Sequence, residues 1–201
     1  MSIFRKIKGS IKDEYLLNGL VEHLRKIGIE ATILVSEPKV QAFTNFIGSV
    51  SVEGKNIDLL EVEMKLVGGG FDGEFHGDIG YSTSVYRFNY VVQAEIAGLE
   101  NKLKVETKPI KKGFFGKEVV GLKWEGGSLA QLLNGDNNLR DTLLREGLFE
   151  IEIRTDKKNR CVRIRQKPFH SKTVLDFPTL EVFEIYNKIA EYLRSITSDL
   201  S

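Results

Sequence analysis

Four side chains able to hold a divalent ion stand two residues apart, at Asp72, Glu74, His76 and Asp78. In an extended chain, residues two apart share a face. These four would therefore line one edge, with Phe71, Phe75 and Ile79 on the other. Oxygen and imidazole donors suit manganese, zinc or magnesium. Four side chains along a straight strand do not converge on one ion unless the chain curls. A calcium loop of the EF-hand type would need Glu at position 83, where Thr83 stands. The competing reading is a solvated polar edge anchored by Phe71 and Phe75.

Just upstream, Gly68-Gly69-Gly70-Phe71-Asp72-Gly73 matches the spacing G-x-G-x-x-G. Dinucleotide binding needs a helix N-terminus directly after the glycines, to face the pyrophosphate. Residues 74–80 do not favour a helix, so the required context fails.

A second cluster is Lys111-Lys112-Gly113-Phe114-Phe115-Gly116-Lys117. From 101 to 124 there are seven lysines and two glutamates, a net of +5. A loop built from Lys111, Lys112, Phe114, Phe115 and Lys117 could place aromatic rings in a bilayer interface or stack them on single-stranded bases. It is no phosphate loop of the Walker kind, because Glu118 follows Gly116-Lys117 where Ser or Thr is required. The competing reading is a connection whose phenylalanines cover the end of a sheet. A third basic stretch, 156–172, has seven Lys or Arg and one Asp, a net of +6. Its counterweight is 51–80, with seven acids and two lysines.

Nucleophilic chemistry finds little support. The three histidines, His23, His76 and His170, are scattered, and no G-x-S-x-G elbow occurs. Cys161, the only cysteine, alternates onto a charged strand face beside Arg163, where cations could lower its pKa. No histidine is placed to activate it.

The elements that must position these groups follow from periodicity. Apolar residues at 16, 17, 20, 21, 24 and 27 predict a helix over 11–27, started by Ser10 and stopped by Gly28. A strand follows at 29–35, ended by Pro38. A hairpin at 47–67 turns near Gly54-Lys55. A two-residue turn there opposes Val50 to Leu59, and a bulge near Asp58 would bring Leu60 into phase. After the glycine-rich segment, a strand at 81–97 pairs through a loop at 98–101 with the next strand. That register sets Ile96 against Leu103, Ala94 against Val105 and Glu95 against Lys104.

A further arm at 118–125 shows Val120, Leu122 and Trp124 on one face. Ser128 and Asp136 cap two short helices, and Gly147 stops the second. A hairpin at 148–167 with the loop Asp156-Lys157-Lys158-Asn159 sets Ile153 against Val162, Ile151 against Ile164, Glu152 against Arg163 and Glu150 against Arg165. A helix over 179–197 carries Val182, Tyr186, Ile189, Leu193 and Ile196 as its buried stripe.

The 201 residues, 41% apolar and 28% charged with a net charge of +1, are those of an ordinary globular chain. No apolar run reaches the length of a membrane span, no signal peptide is evident, and one cysteine permits no internal disulfide. A cytoplasmic location follows as an expectation. The fold expected is α+β over 1–201. It has a mainly antiparallel sheet of hairpins, an N-terminal helix, a short helix pair and a long C-terminal helix, with 68–80 as the one candidate internal boundary.

The leading functional expectation is a non-enzymatic binding or assembly module without a cofactor. Its partner is a protein or a second copy of the chain, with an anionic surface or nucleic acid as other candidates. The contacts would come from the basic aromatic loop and charged hairpin faces. The alternative is a metal-dependent enzyme at Asp72, Glu74, His76 and Asp78. A third option is a small-molecule pocket between the sheet and the final helix.

Overall fold

The computed structural model describes residues 3–34, 40–41, 44–67, 83–93, 103–113, 118–167 and 176–198. Its elements in chain order are α1 (Ile3–Lys26), β1 (Ala31–Leu34), β2 (Val40–Gln41), β3 (Thr44–Val52), β4 (Leu59–Val67), β5 (Thr83–Val92), β6 (Lys104–Lys112), β7 (Glu118–Glu125), α2 (Gly127–Gly135), α3 (Asn137–Arg145), β8 (Ile151–Asp156), β9 (Cys161–Gln166) and α4 (Leu180–Ser198). All strand pairs are antiparallel, in the order β1-β3-β4-β5-β9-β8-β6-β7, with β2 on β3. This is the α+β architecture the periodicity predicts.

Alternation along the strands gives the sheet two unlike faces. One carries Val50, Leu60, Val62, Tyr90, Val92, Val105, Trp124, Ile153 and Ile164, all buried beneath the helices. Leu20 and Leu24 of α1 join this core, as do Leu129 and Leu133 of α2, Leu143 of α3, and Phe183, Ile189 and Leu193 of α4. Burying a side chain of this size contributes about 1.5–3 kcal/mol. The other face carries alternate positions that are mostly charged, among them Glu61, Glu63, Arg87, Glu106, Glu152, Arg163 and Arg165.

Several boundaries differ from the sequence reading. The helix α1 runs back to Ile3, so Ser10 lies inside it rather than capping it. Gly28, at φ +83°, ends it as expected, and the Ile29 N–H donates to the Leu24 carbonyl at 2.9 Å. In the first hairpin Val50 pairs with Leu60 because residues 53–58 form a longer connection. The bulge lies between Phe46 and Gly48, not near Asp58. The helix α2 begins at Gly127 with Gly126 at its N-cap and no side-chain cap, so Ser128 falls inside its first turn. Asp136 does cap α3, accepting from the Leu139 N–H at 2.9 Å, and Gly147 ends the turn after it at φ +70°.

The largest correction concerns the strand before β6. The expected hairpin would place Ala94 beside Val105. Instead Val105 lies opposite Ile153 of β8, and Val92 of β5 lies opposite Val162 of β9. The β8–β9 hairpin is wedged between β5 and β6, although it comes later in the chain. Residues Ala94, Glu95 and Ile96 lie outside the described residues. The wedged hairpin itself is offset by two from expectation, pairing Ile153 with Ile164 and Glu152 with Arg165. Asp156 stays in the ladder opposite Cys161, and its carboxylate accepts from the Lys158 and Asn159 N–H groups of the turn. Arg160 closes the turn at φ +51°. An offset of two leaves every side chain on its expected face.

Candidate functional site

Two basic regions emerge, and the sheet treats them differently. The first is the polar face over β4, β5, β9, β8 and β6. Here Arg163 grips Glu61 through two nitrogens, at 2.8 and 2.9 Å, and also meets Asp156. Arg87 binds Glu63 at 2.5 Å, and Arg165 binds Glu152 at 2.8 Å. Glu106 receives Lys108 at 2.6 Å and also Lys167. The hydrogen bond from Lys108, then that from Lys167, holds the Glu106 carboxyl down at about 2. Burial pushes against the charge on Glu152, but the bond and charge of Arg165 prevail and keep its pKa below the usual carboxylate value. The predicted pairing of Glu152 with Arg163 is thus replaced by Glu152–Arg165, with Arg163 turned to β4.

Asn89 sits in the middle of this face, opposite Glu61 on one side and Arg165 on the other. It is fully buried, and among the described residues neither its amide oxygen nor its amide nitrogen has a hydrogen-bond partner. Its charged neighbours are committed elsewhere, Glu61 to Arg163 and Arg165 to Glu152. Cys161 is buried on the same face. Burial, and then the charge of Glu61, push its thiol up to about 11. The lowering by nearby cations that the sequence suggested does not occur, since Arg163 is neutralised by two carboxylates.

The second region is the β6–β7 hairpin. Strand β6 pairs with β8 only over Lys104–Glu106, but with β7 from Glu106 to Lys112. Beyond that point β6 has β7 as its one strand neighbour among the described residues, and the two form an arm. Its root is firmly held. The Thr107 hydroxyl donates to the Phe149 carbonyl at 2.9 Å and accepts from the Ile151 N–H at 2.7 Å. On the outer edge of β7, the Asn134 side-chain amide imitates a strand partner. Its oxygen accepts from the Trp124 N–H at 2.8 Å and its nitrogen donates to the Trp124 carbonyl at 2.9 Å. Gly126, at φ +114°, comes so close to β6 that a Cβ would lie 2.1 Å from the Lys104 carbonyl oxygen. Side chain and conformation both require glycine here.

Away from the root the arm opens to solvent. Ile110 is 51% exposed and Val120 46%. Lys108, Lys111, Lys112 and Gly113 are exposed too. The sequence placed Val120 beside Leu122 and Trp124. The ladder instead steps from Gly121 to Val119 opposite Ile110 and Lys111, which makes Val120 the extra residue of a bulge and turns it out.

Of the expected loop, Lys111 and Lys112 stand at the described end of β6, while Phe114, Phe115 and Lys117 lie outside the described residues. So do Asp72, Glu74, His76 and Asp78, and also His170. Among the described residues no group of three or more His, Cys, Asp or Glu side chains is placed to hold a metal ion. His23 is half-buried, its Nε2 3.0 Å from the Pro178 carbonyl oxygen and its ring against Phe177. Among the described residues no helix is long and apolar enough to cross a membrane.

Reasoning from sequence overlooked Ile110, Pro109 and Asn134. The run Lys108-Pro109-Ile110-Lys111-Lys112 carried a usable signal, since proline and lysine are residues of exposed strand edges. No family model, curated protein or solved structure matches the chain.

Proposed function

We propose that the chain is a non-enzymatic binding module that contacts an anionic membrane surface through the β6–β7 arm. The observation carrying this reading is the arm's departure from the sheet past Glu106, which leaves Lys111 and Lys112 beside exposed Ile110 and Val120. Lysines near an anionic bilayer contribute about 1 kcal/mol each, and aliphatic side chains between them enter the headgroup boundary. The exposed apolar residues described on the arm are branched aliphatics, which lack the flat faces that stack on bases. Pro109 and the flanking lysines oppose addition of a further strand, so the contact is made by side chains. The basic 156–172 stretch is a weaker candidate because Arg163, Arg165 and Lys167 are bound to carboxylates.

The test is co-sedimentation with phosphatidylserine-containing vesicles at low and high salt, with a single-stranded oligonucleotide in a parallel arm. Wild type should bind the vesicles at low salt and release at high salt. The triple variant Lys111→Ala/Lys112→Ala/Lys117→Ala should bind about 100-fold more weakly, at roughly 1 kcal/mol per lysine. Binding to the oligonucleotide alone replaces the membrane by nucleic acid. Binding to neither rejects the anionic partner.

A further inference from the structure

A concave site distinct from the arm lies on the helix side of the sheet, between β5, the turn before β8 and the start of α4. Its volume is about 260 Å³, and Tyr86, Phe88, Tyr90, Phe177, Val182 and Tyr186 are among the residues that line it. Five of the lining residues are aromatic, as suits a site for a small organic ligand. The volume is below that of drug-sized sites, roughly 300–1,000 Å³, and suits a molecule of one or two fused rings.

Tyr90 and Tyr186 set its chemistry. Their rings are stacked, with centroids 3.8 Å apart and planes 10° apart. The Tyr90 ring also meets Phe183 edge-on, at 6.1 Å between centroids. The two tyrosines are 3% and 2% exposed. Among the described residues neither hydroxyl meets a hydrogen-bond partner. Neither oxygen is among the buried polar atoms left without a partner, so both keep contact with solvent. Because both rings line the cavity, their hydroxyls are available to a molecule that fills it. Burial raises the pKa of both phenols, so each hydroxyl keeps its proton and can donate.

The charges at the rim are already matched. Arg87 is bound to Glu63 at 2.5 Å, Glu146 lies 3.4 Å from Arg145, and the third charged group of the lining, Asp176, is not free either. A charged ligand would therefore enter an aromatic wall without a free counter-ion, at the cost of its hydration.

We infer that this cavity is a binding site for a small, flat, uncharged aromatic molecule with a hydrogen-bond acceptor on its ring, received by the Tyr90 and Tyr186 hydroxyls. The site is independent of the arm and of any membrane contact.

Quinoline and naphthalene make the test direct, since they share a shape and differ in one ring acceptor. Protein-detected NMR titrations at pH 7.5 would follow the amides of Leu148, Val182 and Tyr186. Quinoline should shift these amides saturably and bind about fivefold or more tighter than naphthalene, the size of one net hydrogen bond. Tyr90→Phe/Tyr186→Phe removes two oxygens and no carbon. It should bring quinoline down to the level of naphthalene while naphthalene itself is unchanged. Val182→Trp, which fills the cavity, should abolish both. The charged isostere 2-naphthoate should bind more weakly than quinoline.

The inference is overturned if quinoline produces no saturable shift at these amides, if it binds no better than naphthalene, if the double Phe variant binds it as wild type does, or if 2-naphthoate is preferred. Should Val182→Trp fail to fold, the double Phe variant still decides. Lys111→Ala/Lys112→Ala should leave quinoline binding unchanged, which separates failure here from failure of the membrane reading.

Discussion

The wedged β8–β9 hairpin and the β6–β7 arm have similar compositions and opposite fates. Both are strongly basic stretches folded back on themselves. The hairpin is flanked on both sides, and two of its arginines, Arg163 and Arg165, reach carboxylates on β4, on β8 and at its own turn. The charge of these two is consumed inside the sheet, while Arg154, Lys157, Lys158 and Arg160 stay exposed toward the turn. Among the described residues the arm keeps one strand neighbour past Glu106, and Lys111 and Lys112 at its end stay in water, whereas Lys108 binds Glu106. A run of positive charge therefore says little about a binding surface until its place in the sheet is known. Carboxylates largely shielded from water hold Arg163 and Arg165, whereas Lys112 at the end of the arm faces the exposed Glu118 of β7.

The sharpest way to break this comparison is to remove a cation from each region. Arg163→Ala leaves Glu61 largely buried without its bidentate partner, and stability should fall by about 3 kcal/mol. Denaturant unfolding measures this, and a loss under about 1 kcal/mol would mean that the pairs do not hold the face together. Replacing both partners, Glu61→Leu with Arg163→Met, should recover most of the loss.

A second substitution works in the opposite direction. Asn89→Leu removes two unpartnered polar atoms from a fully buried position and should stabilise by about 1–2 kcal/mol. An unchanged or lowered unfolding midpoint would show that Asn89 is satisfied in solution.

The third prediction uses pH. The pKa of Glu106 lies at about 2 when folded against 4.5 unperturbed, so its contribution is full above about 4.5 and is lost as pH falls toward 2. Glu152 and Asp136, both lowered, add to the same acid-side loss. Thermal melts between pH 6 and 2 should drop less steeply for Glu106→Gln than for wild type. Parallel curves would remove Glu106 from the account.

The smallest effect belongs to the arm. Lys111→Ala/Lys112→Ala should move stability by no more than about 0.5 kcal/mol, since both residues are exposed and, among the described residues, take no part in the charge pairs of the polar face. A larger loss would mean that the arm is part of the sheet's stability and not a free contact element.

Much of the fold was legible because the signals are local. The stripe of α4, the Asp136 cap, the Gly28 and Gly147 stops and the faces of β8 and β9 all follow from neighbours in sequence. The strand order was not legible. The sequence match of Ile96 to Leu103 and Glu95 to Lys104 is a sound local hairpin signal. It was overridden by β8 and β9, which meet β6 and β5 on their apolar and charged faces alike. The site was legible only in part. Lys111 and Lys112 were visible as a charged run, but the exposure of Val120 depends on a bulge, and the Tyr90–Tyr186 stack joins residues 96 positions apart. No periodicity connects these.

The wedged hairpin also governs the order in which the chain can assemble. Strands β5 and β6 emerge early in synthesis, yet each must wait for a partner from the hairpin at 151–166. Until then the sheet exists as two unjoined halves, each with an exposed strand edge. Pairings this distant in sequence are slow to form, because loop closure precedes the contacts that reward it. The late hairpin is thus the closing piece of the molecule, and truncation before residue 151 would leave both halves open to association with other chains.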